Sequence, residues 1–184
     1  MEIKGVAVKT IPLFVKTKYA NRYEEWLNSL SDSSKKIIAN TILDSALYDI
    51  EDAAIFPTKS ICKLFFNNND KGAWELGRFS VDVGIKGIYK IFFNIFSINT
   101  LISKGSRIMS SYYNGCETEV KKLGNGSAYM RIIKFGKPNH LIELRIGGWI
   151  ERAMELCGGK NIKIEIVKSL TRGDNVTEYQ FNWS

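Results

Sequence analysis

At 184 residues, with 45% hydrophobic and 24% charged side chains, the chain has the composition of a soluble globular protein, and its length suits one domain spanning 1–184. That excludes a disordered or low-complexity polypeptide. The 26 Lys+Arg against 19 Asp+Glu give a net charge of +7. No run of five or more basic residues concentrates it, so no nucleic-acid partner is expected. Cys62, Cys116 and Cys157 are odd in number and lack metal-ligand spacing. With no signal peptide read at the amino end, a reduced, cytoplasmic setting is expected.

In chain order, Ile3 to Val8 leads through Ile11 and Phe14 into a helix near Ala20–Leu30. There Tyr23, Trp26, Leu27 and Leu30 recur at i, i+3, i+4 and i+7, one apolar face. Ser31-Asp32-Ser33-Ser34 is a cap cluster opening a helix expected to bury Ile37, Ile38, Ile42 and Leu43. Pro57-Thr58 starts a short helix carrying Ile61, Leu64 and Phe65, which Asn67-Asn68-Asn69-Asp70 ends.

Ile88–Ile102 is apolar apart from a narrow stripe of Lys86, Lys90, Asn94 and Ser97. It is too short to span a membrane, which takes about 20 apolar residues. The pattern predicts a central helix surrounded by protein.

After Tyr112-Tyr113 the apolar period changes to two. Thr118–Leu123 and Ala128–Phe135 flank Gly124-Asn125-Gly126, a hairpin signal. Pro138-Asn139 opens a helix burying Leu141, Leu144, Ile146, Trp149, Ile150, Ala153 and Met154, stopped by Gly158-Gly159. A second hairpin sets Ile162, Ile164 and Ile166 on one face, and Tyr179, Phe181 and Trp183 on one face of its partner, around the turn Thr171–Asn175. The fold class predicted is α+β: N-terminal helices, then a ββαββ antiparallel four-stranded sheet packed on a buried central helix.

Catalytic patterns are absent. One histidine, three unpaired cysteines and no G-x-S-x-G or H-E-x-x-H leave no common hydrolase arrangement. Gly124-Asn125-Gly126 precedes no helix that would receive an anion. Glu151 and Glu155, at i and i+4 about Arg152, read as a solvated helix face, and no enzyme activity or metal is expected.

Three stretches carry a resemblance. Ile3-Lys4-Gly5 followed by Glu24-Glu25-Trp26-Leu27, then Glu75-Leu76-Gly77-Arg78, and finally Gly147–Gly159 with Gly173-Asp174, together resemble a ligand-binding superfamily. Its branches are the haem nitric-oxide/oxygen-binding (H-NOX) domains, the vinyl-reductase-type sensor domains and the TRAPP vesicle-transport subunits. The H-NOX branch implies a haem held by a histidine on the helix before the first hairpin, a position falling within Leu101–Tyr112. It also implies a Tyr-x-Ser-x-Arg clamp near Ile132–Gly136. Neither is here, and His140 starts the following helix, so no haem or other cofactor is expected. Vinyl-reductase-type domains often place cysteines about where Ser169 and Thr177 stand.

The resemblance therefore implies binding or scaffolding rather than catalysis. Phe92, Phe93, Phe96, Tyr112, Tyr113, Met130 and Trp149 offer the apolar walls with a few polar donors that ligand cavities favour. The same residues would also serve as ordinary core. The expected partner is a hydrophobic small molecule, in a sensor or carrier acting as a homodimer. The alternative is a protein–protein tethering module resembling TRAPP subunits.

Overall fold

The computed structural model describes residues 1–84 and 97–184. The first strand, β1 (Glu2–Lys4), turns directly into the short helix α1 (Gly5–Val8) and then α2 (Thr10–Lys18). Ile11, Phe14 and Val15 of α2 are buried. A 3-10 turn at Ala20–Arg22 leads into α3 (Tyr23–Asn28), where Trp26 is fully buried and its indole N–H donates to the Pro57 carbonyl at 3.3 Å. Tyr23 and Leu27, on the same face, are half-buried.

The Ser31 hydroxyl caps α4 (Asp32–Ala39) by accepting from the Ser34 N–H. This helix ends four residues earlier than its apolar pattern suggests. Ile38 is buried, but Leu43 lies beyond the end and is 60% exposed. Strand β2 (Leu47–Asp49) returns antiparallel to β1, pairing Ile3 with Tyr48. The Asp49 carboxylate then accepts from the N–H groups of Glu51 and Asp52, opening a π-helical turn over Glu51–Ile55 and α5 (Phe56–Phe65). Asn67 and Asn68 stop it at positive φ. Helix α6 spans Lys71–Gly84.

Of the expected Ile88–Ile102 helix, 88–96 lies outside the described residues. From Ser97, whose hydroxyl accepts from the Thr100 N–H, helix α7 (Ile98–Tyr112) begins. Within the expected stretch Ile98 is buried and Leu101 and Ile102 are half-buried; beyond it the helix is amphipathic, with Ser103, Lys104, Arg107 and Ser110 exposed and Met109 buried. The two hairpins follow, β3 (Glu117–Gly124) with β4 (Ser127–Lys134), and β5 (Lys163–Lys168) with β6 (Thr177–Asn182). They form one antiparallel sheet in the order β3-β4-β6-β5. Met130 pairs with Tyr179 and Ala128 with Phe181, so the apolar residues of β4 and β6 share the inner face.

Between the hairpins runs α8 (His140–Leu156), capped by the Asn139 side chain and ended by Gly158 at φ 87°. Ten of its seventeen residues are buried. The β1–β2 ribbon is the element that sequence patterning leaves out. Its three-residue strands are too short to show a period of two, and it is held by long-range pairing, including a bridge from Ile3 to Tyr113.

Candidate functional site

Helices α6 and α8 cross in close contact because glycines stand where they meet. A Cβ on Gly77 would come within 2.1 Å of the Arg145 carbonyl oxygen, and one on Gly148 within 2.1 Å of the Trp74 carbonyl oxygen. Beside the crossing, Arg78 of α6 is ion-paired with both Glu151 and Glu155, and the Trp74 indole donates to Glu151 at 2.8 Å. Arg152 joins Asp82 to Glu155, at 2.7 Å to each. Glu151 and Glu155 are thus not a solvated face. They are three-quarters and two-thirds covered, and tie α8 to α6.

Next to this crossing lies a cavity of about 330 Å³. The α1–α2 segment supplies Val6, Ala7, Lys9 and Thr10, α6 supplies Gly77, Ser80, Val83 and Gly84, and the end of α7 supplies Ile108, Met109 and Tyr112, with Tyr113 following. Arg145, Ile146 and Trp149 come from α8. The bridge between Ile3 and Tyr113 holds β1 against the end of α7, which sets α1 over this space. At the rim Lys9 pairs with Asp44, both well exposed. The Tyr112 and Trp149 rings meet edge to face, with centroids 6.3 Å apart.

Inside, the polar atoms are few. Thr10 Oγ1 donates to the Ala7 carbonyl and Ser80 Oγ to the Gly77 carbonyl, each at 2.7 Å. The exception is Arg145, 4% exposed, whose Nε and Nη1 are buried without a hydrogen-bond partner. Burial pulls its guanidinium below the ordinary pKa, while the field of Tyr113 opposes that shift. Burial likewise raises the Tyr113 phenol, which stays neutral near pH 7.

Of the residues singled out from sequence, Tyr112, Tyr113 and Trp149 border this cavity. Met130 borders a separate void of about 30 Å³ between α7, α8 and the sheet, with Val120, Met154 and Phe181. Phe92, Phe93 and Phe96 lie outside the described residues. Arg145 was missed, although a signal exists: it interrupts the apolar stripe of α8 at i+4 from Leu141 and i−4 from Trp149. The wall from Val6 to Thr10 has no such signal, because α1 and α2 are too short for a clear period.

The remaining candidates have structural roles. Ser169 and Thr177 donate their hydroxyls to Glu143, at 2.7 and 2.5 Å, and Thr171 adds a third hydroxyl at 2.9 Å. Glu143 is only 4% exposed, and its carbonyl also accepts from Tyr179. This knot fastens α8 to the second hairpin. Burial pushes the thiols of Cys62, Cys116 and Cys157 up to about 11, so none is a thiolate at neutral pH. Among the described residues no helix is long and apolar enough to cross a membrane.

The cavity wall contains no histidine. His140, the chain's one histidine, sits in the first turn of α8, half exposed, with Nε2 3.6 Å from Asp70. The residues present therefore do not supply the imidazole that a histidine-held haem requires.

No family profile matches the sequence, and no curated protein matches it. Solved structures do. An H-NOX protein from S. oneidensis in the Fe(II)NO ligation state has 13% identity and a TM-score of 0.74, with 99% of each chain covered. An unliganded Fe(II) H-NOX variant from K. algicida has 12% identity and a TM-score of 0.70, covering 99% of this chain and 97% of that one. A variant of the T. tengcongensis H-NOX has 12% identity and a TM-score of 0.68, covering 99% and 98%. The described chain has the fold of an H-NOX domain.

Proposed function

We propose that this chain is a non-catalytic domain that binds a hydrophobic small molecule, without histidine-held haem, in the cavity bounded by α1–α2, α6, α7 and α8. The observation that carries the reading is the cavity itself. Its volume of about 330 Å³ suits a small organic ligand, and its walls are apolar and aromatic with few free polar groups. The fold supports a ligand-sensing or carrying role, since its structural neighbours include H-NOX proteins in the Fe(II)NO and Fe(II)CO ligation states. Against haem stand the α7 residues at the cavity, Ile108, Met109 and Tyr112, and the position of His140 outside it.

The test is thermal unfolding with 1-decanol as an apolar probe, alongside haemin reconstitution. Mass action on the folded state gives a saturable rise in Tm with 1-decanol. Ala7→Phe, which fills the cavity, removes that rise while the protein stays folded. Haemin gives no sharp Soret band that His140→Ala abolishes. If 1-decanol leaves Tm unchanged, a tethering module like the TRAPP subunits is the better account. A Soret band dependent on His140 would restore the haem reading.

A further inference from the structure

Resting on the cavity reading above, we infer that the ligand is an acid: a monocarboxylate on an apolar body, its carboxylate paired with Arg145 and its body against Met109, Tyr112 and Trp149. The argument starts from a charge without a partner. A guanidinium carries five N–H donors in a rigid fork matched to a carboxylate. Burying one leaves a large desolvation cost unless hydrogen bonds offset it. Arg145 is 4% exposed, and its Nε and Nη1 have no partner.

No carboxylate of the protein takes that place among the described residues. On the same helix, Glu143 is held by the hydroxyls of Ser169, Thr171 and Thr177, and Glu151 and Glu155 are held by Arg78. Asp44, the acidic residue of the cavity, pairs with Lys9 at the rim. The wall hydroxyls do not satisfy Arg145 either: Thr10 and Ser80 donate to the Ala7 and Gly77 carbonyls, and neither accepts from Nε or Nη1. Tyr113, on the same wall, brings a neutral phenol rather than a competing anion.

Charge count sets the class. One buried cation matches one negative charge, hence a carboxylate. A phosphate dianion calls for a second cation, and the other one on the wall, Lys9, is already paired. The rest of the wall is apolar, so the body of the acid is apolar or aromatic.

Decanoate and 1-decanol share a chain and differ in the charged end. Titrated into the full chain and followed by calorimetry at neutral pH, decanoate should bind about tenfold tighter or more, as a charge-assisted hydrogen bond implies. Arg145→Met should bring the two to equal affinity, and Arg145→Lys should keep part of the preference. Equal binding to the wild-type chain overturns the acid assignment and leaves the cavity reading standing. A preference that survives in Arg145→Met also overturns it, since the net charge of +7 would then be its source. Binding of neither probe overturns both readings. If Arg145→Met does not fold, Arg145→Gln takes its place in the same comparison.

Discussion

Gly77 lies against the carbonyl of Arg145, so close that a Cβ on the glycine would stand 2.1 Å from that oxygen. The contact joins α6 to α8 and sets one wall of the cavity. Because the obstructing atom is backbone, it has no side-chain rotation to relieve it. Gly77→Ala should therefore destabilise by about 1–3 kcal/mol, the usual cost of overpacking. Gly84→Ala, at the end of the same helix with nothing within 4 Å of its Cβ, is the control. It should be neutral or stabilise by up to about 1 kcal/mol. Urea unfolding of both variants measures this.

The Arg78 cluster makes stability depend on pH. Burial by itself pushes the Glu155 carboxyl up, but hydrogen bonds from Arg78 and Arg152 outweigh it and hold the group below its ordinary value. A carboxylate depressed in the folded state adds stability above its unfolded pKa of about 4.3. That stability is lost as pH falls through the lower folded value. Arg78→Ala should cost about 1–2 kcal/mol at neutral pH and flatten the acid limb of the stability curve. Equal acid limbs in the two proteins would contradict this.

Glu143 fastens the second hairpin to α8. Glu143→Ala leaves the buried hydroxyls of Ser169 and Thr177, and the exposed one of Thr171, without their acceptor. The expected loss is about 2–4 kcal/mol. Glu143→Gln keeps one carbonyl acceptor and should lose less. Hydrogen exchange at β5 and β6 should rise in Glu143→Ala ahead of exchange at β3.

Much of the fold is legible in the sequence because two periods write it. The alternation in Thr118–Leu123, Ala128–Phe135, Ile162–Ile166 and Tyr179–Trp183 gives the sheet, and the Asn139 cap and Gly158 stop give α8. The cavity is less legible. Tyr112, Tyr113 and Trp149 border it, yet its far wall comes from Val6 to Thr10, more than a hundred residues from α8. Only the tertiary pairing of Ile3 with Tyr48 and Tyr113 brings that segment there. Local pattern carries no record of such pairing. Glu151 and Glu155 mislead for the same reason: an i, i+4 acidic pair looks solvated until Arg78, 73 residues away from Glu151, is placed against it.

An unpaired buried charge costs stability while the protein has no ligand. Arg145→Met removes the charge at similar length, and should stabilise the ligand-free protein by about 1–3 kcal/mol. Chemical unfolding without additives is the measurement. A loss of stability would mean that the guanidinium already has a partner.

The most direct test of the cavity is to see where a small apolar molecule lands. Backbone amide NMR of the uniformly labelled chain, titrated with 1-decanol, reads this residue by residue. The account predicts saturable shifts at Thr10, Gly77, Ser80, Met109 and Ile146, and none at Ser169, Thr171 or Thr177. Shifts confined to Met130, Ile150 and Phe181 around the small void, or no saturable shifts at any amide, would contradict it.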